Sequence, residues 1–442
     1  EPYQENENLQ PLLAEQPLSG EIVKEETDPV FDAIVFTLSN GVKVVAKQTY
    51  FKEDEIVVSG SSPGGSTLFY KKDMTNLKVM TDVVPLGGLG EHSAIELNRI
   101  LAGKNVSCSF SIDENSESIG GYSSVSDLRT LFELIYLHFT APRTDEDAFS
   151  SYITRLNAQL KNLNLNPMVA FGDSLSTALY GDSQEMKRIS EAELGQLDYS
   201  RIMEMYDERF ADASDFTFSI VGSFDIDSVR LFAKEYLAAL PALRRTEAGK
   251  EQALVPYRKG SFRNHFNRTM ETPKTSIVHY FHGKSDYTLK NMLAANILTQ
   301  LLDLVYMEKV RKEEGGSYGV ASLARIYSFP EGRTSLQIYY DTDPQKQEQI
   351  NTIVLSELQR IAESAPGEEN FSKIKENLRK TWQENQTSNI YWLSAIDNYY
   401  FNAFNSHTSY LKTLDEITSE DVQIFTKNLL SQDNHIEIIM SP

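Results

Sequence analysis

The spacing of apolar and polar positions changes period several times along the chain, and each change marks an element. DAIVFTLSNGVKVVAKQT (32–49) alternates on both sides of Asn40-Gly41, which predicts a hairpin closed by a type I′ turn. EIVVSGSSPG (55–64) follows as a third strand. Later, TSIVHYFHGK (275–284) reads as a strand and NMLAANILTQLLDLVYMEKVRKE (291–313) as a long helix. YGVASLARIYSFPEGRTSLQIYYDTD (318–343) then reads as two strands joined at Pro330-Glu331-Gly332.

The pattern occurs twice. Residues 140–163 and 364–386 both run Ala-Pro, an acidic stretch, Phe-Ser and a long amphipathic helix. YSRIMEMYDERFADASDFTFSIVG (199–222) and SEDVQIFTKNLLSQDNHIEIIMSP (419–442) each give a helix, a polar loop and an alternating strand. Strand and helix runs are mixed within each copy. The expected fold is therefore α+β, two tandem repeats of a mixed or antiparallel sheet covered by helices. The first repeat is expected over residues 30–245 and the second over 265–442, with a connector at 246–264 and a linker-like segment at 1–29. That segment, acidic and without a basic start or apolar core, reads as the entry from a missing preceding half.

Composition narrows the function. With 42 basic and 63 acidic residues the formal charge is −21, which argues against a nucleic-acid partner. The apolar runs are too short and interrupted to span a bilayer, so no transmembrane segment is expected. The single cysteine, Cys108, excludes an internal disulfide framework and a thiolate zinc cluster, and its strand-like setting reads as a small core filler. His279 and His282 are three apart in a strand-like run and point to opposite faces, which suits structural histidines rather than a shared metal. His92 follows LGGLGE, but no Lys-Ser/Thr pair completes a phosphate loop, and the run reads as a turn into the helix IELNRIL. Tyr391-Trp392 and Tyr399-Tyr400-Phe401 are spaced as packing contacts, and ENSE (114–117) and GEEN (367–370) as solvated loops.

Four stretches carry a resemblance to a known family: PLSGEIV (17–23), ELNRILAGKNVSCSFSIDENSESIGGYSS (96–124), VRKEEGGSYGV (310–320) and NLRKTWQENQTSNIYWLSAI (377–396). Together they resemble the C-terminal half of the pitrilysin/insulinase family of zinc metallopeptidases. That family closes two halves around a peptide, and its zinc motif, H-x-x-E-H with a downstream Glu, belongs to the first domain. No such motif occurs here, so the resemblance implies zinc bound by a missing N-terminal half and none in this chain.

The resemblance further implies that Arg311 and Tyr318, seven apart, reach into the active site of the other half. Peptide hydrolysis builds negative charge on the carbonyl oxygen, which the Tyr318 phenol can stabilise by a hydrogen bond, while the forked Arg311 can hold substrate backbone carbonyls. Read locally, Gly315 and Gly316 cap the preceding helix, Lys309, Arg311 and Lys312 complement its negative end, and Tyr318 opens a strand. The implied function is the substrate-binding, chamber-closing half of a zinc endopeptidase acting on peptides or unfolded segments, inactive alone. The alternative is a noncatalytic scaffold or partner subunit of the same fold. A periplasmic or envelope location suits the composition.

Overall fold

The computed structural model describes residues 11–250, 254–314 and 319–442. In the first half the strands are β1 (Ile22–Asp28), β2 (Ala33–Leu38), β3 (Lys43–Gln48), β4 (Ile56–Pro63), β5 (Val106–Ile112), β6 (Ser116–Ser123) and β7 (Thr217–Gly222). Its helices are the short α1 (Met74–Leu77) and α2 (Met80–Val83), then α3 (Ala94–Leu101), α4 (Leu128–Thr140), α5 (Glu146–Leu163), α6 (Pro167–Tyr180), α7 (Tyr199–Phe210) and α8 (Ile226–Phe232). The second half continues with β8 (Phe262–Asn267), β9 (Thr275–Lys284), α9 (Leu289–Glu314), β10 (Val320–Tyr327) and β11 (Arg333–Thr342). It ends with α10 (Gln347–Glu363), α11 (Glu368–Asn385), α12 (Asn389–Asn402), α13 (Tyr410–Glu416), α14 (Ser419–Leu430) and β12 (His435–Ser441).

Two mixed sheets result, in the orders β1-β2-β3-β7-β4-β6-β5 and β10-β11-β9-β12-β8. In each, the closing strand of the repeat returns to an interior position: β7 lies parallel to β3 and antiparallel to β4, as β12 lies parallel to β8 and antiparallel to β9. The long-range pairing buries both faces of these strands, which explains their near-continuous apolar runs, FSIV and IEII. The α+β expectation holds.

The compact units do not follow the contiguous halves read from the sequence. One runs through Ala158, resumes over Ile189–Leu254 and takes in Glu384–Ser406; the other holds Gln159–Arg188, Val255–Gln383 and His407–Pro442. Each repeat therefore gives one segment to the other's unit. In the first unit α12 lays Ala395 and Ile396 on a cluster of Phe31, Val35, Val45, Val57 and Val221, with Trp392 and Tyr399 packed alongside. In the second, α6 lays Phe171, Ala178 and Leu179 against Val278, Tyr280, Ile438 and Met440. Periodicity could show that these helices have an apolar face but not which sheet receives it.

The hairpin also departs from expectation. Its loop is longer than two residues, Leu38 N–H donating to Val42 O at 2.8 Å, and only Gly41 has positive φ, at 104°. Asn40 instead donates its amide to Leu237 O (2.8 Å) and Leu240 O (3.2 Å), and accepts from Val42 N–H. Tying this turn to a distant segment replaces the left-handed conformation that a type I′ turn would require of Asn40.

Candidate functional site

Helix α9 is the element that positions the predicted site. Its inner face buries Leu298, Leu302, Tyr306 and Val310 in the core of the second unit, one residue every turn. Tyr306 donates its hydroxyl to Val354 O of α10 at 3.0 Å. Beyond it, Lys309 pairs with the buried Glu357, which also accepts from Arg360 Nε at 2.8 Å. Burial alone would raise the Glu357 carboxyl, but the two cations outweigh it and hold the group below its ordinary range. The last turns of α9 are thus fastened to α10, and Arg311 projects exposed from this anchored end. Glu357→Gln is expected to lower the stability of the second unit by about 1–3 kcal/mol, since it removes a charged acceptor serving two cations, measurable by urea unfolding.

Strand β10 begins at Val320. Its outer edge is closed by the same helix: Ser322 N–H donates to Asp303 Oδ1 (3.0 Å) and Ala324 N–H to Thr299 Oγ1 (2.9 Å). The described end of α9 and the start of β10 are therefore both held. Tyr318, with Gly315, Gly316 and Ser317, lies outside the described residues. Of the predicted pair, the structure places Arg311 alone.

The histidines are structural, as their spacing predicts. His279 is buried on the α10 side of the second sheet, where its Nε2 lies 2.7 Å from Asn351 Oδ1 and its Nδ1 3.1 Å from His435 Nε2. An amide oxygen only accepts, so Nε2 of His279 carries the proton, its Nδ1 accepts, and His435 Nε2–H donates. Tyr340 and Asn351 extend the chain to Glu437, which pairs with Arg263 at 2.7 Å. His282 faces the other way, its Nε2 3.0 Å from Arg258 O. Burial pushes His279 and His435 down to about 4.

The unfolded chain protonates these rings near pH 6.5, so their contribution is present above that pH and is lost progressively toward pH 4. Each ring is expected to remove about 1.4 kcal/mol per pH unit across that window. Thermal unfolding between pH 7.5 and 4.5, with His279→Gln/His435→Gln as the reference, measures the slope.

Three other sequence readings change or sharpen. Glu117, expected in a solvated loop, is 1% exposed in β6 and accepts from Gly65 N–H at 2.7 Å. Burial, opposed by that hydrogen bond and by Arg209, pushes its carboxyl up to about 7. Burial likewise pushes the Cys108 thiol up, away from any nucleophilic role. His92 is buried in the turn before α3, whose N-cap Ser93 forms a capping box with Glu96.

Among the described residues, no group of three His, Cys, Asp or Glu side chains is placed to hold a metal ion. His279 is committed to Asn351 through Nε2 and to the half-buried His435 through Nδ1, so the described residues do not fit zinc. A cavity of about 500 Å³ lies on the first sheet, lined by Ser59, Ser109, Ser111, Ser118, Tyr122 and Ile390. Nearby on α12, Asp397 is pushed up to about 6 by burial, against the opposing hydroxyls of Ser59 and Ser219. Periodicity offered no signal for this carboxylate, because the helix that carries it packs on the sheet of the other repeat.

The two helix-covered mixed sheets have the arrangement of the M16 metallopeptidase fold. The chain matches the peptidase M16 inactive domain over residues 196–378, a span that contains Arg311 and Tyr318. It is homologous to PqqL-like zinc proteases. It is 21% identical to the zinc protease PQQL-like of Arabidopsis thaliana over 419 residues, 89% of this chain and 40% of that protein. It is also 21% identical to the probable zinc protease PqqL of Haemophilus influenzae over 372 residues, 84% of this chain and 38% of that one. The crystal structure of the periplasmic protease PqqL from Escherichia coli matches all of this chain over 48% of its own, with a TM-score of 0.84 and 18% identity. The chain thus spans less than half the length of these three relatives. No helix among the described residues is long and apolar enough to cross a membrane.

Proposed function

We propose that this chain is the substrate-binding, chamber-closing C-terminal half of a zinc endopeptidase that hydrolyses peptides or unfolded segments. In this reading the zinc ligands lie in an N-terminal half, the repeats at 30–245 and 265–442 are the third and fourth family domains, and the chain acts in the periplasm or envelope. The observation that carries it is the match of 196–378 to the M16 inactive domain around the Arg311–Tyr318 spacing. The anchored end of α9 supports a positioning role for Arg311, since a forked cation on a fixed helix end loses little freedom when it holds a backbone carbonyl. Tyr318 would donate a hydrogen bond to the carbonyl oxygen as charge develops on it.

The test is to follow cleavage of a quenched fluorescent peptide by this chain alone, by the separately expressed N-terminal half alone, and by their mixture. Cleavage only by the mixture is the expected result. Full activity of the N-terminal half alone removes the catalytic role and leaves the scaffold reading.

A further inference from the structure

We propose that the outer edge of β8 is a docking site for an extended peptide segment, supplied in trans, that alternates apolar and acidic residues and adds to the second sheet as an antiparallel strand. The inference does not rest on the roles of Arg311 and Tyr318, which lead into the opposite edge strand, β10.

The internal repeat provides the geometry. The parallel pairs β3/β7 and β8/β12 end on the same hydrogen bond: Thr49 N–H donates to Gly222 O at 2.8 Å, and Arg268 N–H to Ser441 O at 2.8 Å. Counting back in register, Arg263 occupies the position of Val44, and His265 that of Ala46. In the first sheet that edge is filled: Phe36 and Ile34 of β2 pair antiparallel with Val44 and Ala46, which are 0% and 2% exposed. The second sheet has no counterpart of β2 among the described residues, and β8 ends its strand order.

A residue's N–H and C=O point to the same side of a strand, and the inward bond of Arg268 sets the parity. The backbone groups of Arg263, His265 and Asn267 therefore face outward, and all three residues are exposed. Long exposed edges are templates for strand addition, and proteins commonly cover them. Side chains of α9 cover β10, whereas among the described residues no strand pairs with the outer side of β8.

Charge and shape select the occupant. YRKGSFRNHFNR (257–268) holds Arg258, Lys259, Arg263 and Arg268 without a carboxylate, in a chain of net charge −21. Arg263 is engaged by Glu437, while Arg258 and Arg268 stack over Phe262 (4.4 Å) and Phe266 (5.9 Å) at the two ends of the strand. Beside β8, a cavity of about 400 Å³ toward α6 is lined by Ala170, Ala178, Phe262 and Phe266, with Asp173 at its wall held by Arg188 at 3.0 Å. Successive side chains of an added strand alternate between faces. One set would meet these apolar groups, and the other would meet Arg263 and His265. Two copies of this edge would bring cations together, which disfavours pairing of the chain with itself.

The experiment uses the 442-residue chain and a fluorescein-labelled decapeptide alternating Val and Glu, read by fluorescence anisotropy. Controls are a Val-Lys decapeptide and the Val-Glu peptide N-methylated at alternate backbone nitrogens. Saturable binding of the Val-Glu peptide is expected, weakened by salt, and at least tenfold weaker for the N-methylated form. His265→Pro removes an outward N–H that the sheet does not use and is expected to weaken binding at least tenfold, as Arg268→Glu is through charge. Hydrogen exchange should show new protection at residues 263, 265 and 267. Equal binding of the Val-Lys peptide, indifference to N-methylation, or dimerisation through β8 would overturn the proposal. Should His265→Pro fail to fold, the N-methylated peptide and the exchange map decide.

Discussion

Replacing Tyr318 by Phe in the proposed two-half zinc peptidase is expected to lower kcat for a quenched peptide by about 100-fold with little change in KM, the range found when one oxyanion donor is lost. The phenol is proposed to act where charge appears, at the carbonyl oxygen of the scissile bond, so its loss should raise the barrier without loosening the ground state. Arg311→Ala should behave differently. A cation holding backbone carbonyls away from the reacting atoms contributes to substrate binding and register, so KM should rise more than kcat falls. Circular dichroism and unfolding curves for both variants should match the parent, because Arg311 is exposed and the α9 end is held by Tyr306 and Lys309. Unchanged kcat in Tyr318→Phe would end the catalytic proposal and leave the chain as a binding and enclosing half.

The second large effect tests the exchange of helices. Ile396 is 0% exposed, yet it belongs by sequence to the second repeat and by packing to the first unit. Ile396→Ala is expected to destabilise the first unit by about 2–5 kcal/mol, the usual cost of deleting a buried aliphatic side chain and leaving a cavity. Phe171→Ala should do the converse, destabilising the second unit by about 3–5 kcal/mol from a helix that the first repeat encodes. The two tryptophans separate the readouts, since Trp382 lies in one unit and Trp392 in the other. In a Trp382→Phe background, Ile396→Ala should shift the urea midpoint reported by Trp392. A shift seen only by Trp382, in the complementary Trp392→Phe background, would mean that each repeat folds on its own helices.

Much of this architecture is legible in the chain. The long helix of α9, the strand pair β10 and β11, and the helix-then-strand ending of both repeats follow from apolar periods of 3.6 and 2, because each element buries one stripe or face wherever it is finally placed. Histidines three apart in a strand cannot share a metal, and His279 and His282 indeed face opposite sides with separate partners. The candidate site was legible only through the wording VRKEEGGSYGV: the local chemistry of a helix end, two glycines and a tyrosine fits a cap as well as a catalytic loop. Of that pair the structure locates Arg311 on an anchored helix end, while Tyr318 lies outside the described residues.

Other features depend on partners hundreds of residues away, which no local pattern contains. Asn40-Gly41 is a strong hairpin signal, but Asn40 turns its amide to Leu237 and Leu240 and the loop takes another form. Glu117 stands in an acidic run that reads as solvated, but its strand carries it inside against Gly65 and Arg209, where burial keeps its proton to about pH 7. That β8 ends the order of the described strands in its sheet is invisible until β12 is seen to pair with it.

By itself, then, the sequence determined the α+β class, the twofold repeat, the lack of a recognisable zinc motif and the identity of the residues that could act. These are properties of short windows, set by backbone geometry and side-chain chemistry. Only the tertiary structure decided which sheet each helix covers, which described strand ends each sheet and which charged groups lose their solvent. Those outcomes are set by long-range packing, where an apolar stripe specifies that it must be buried but not against what.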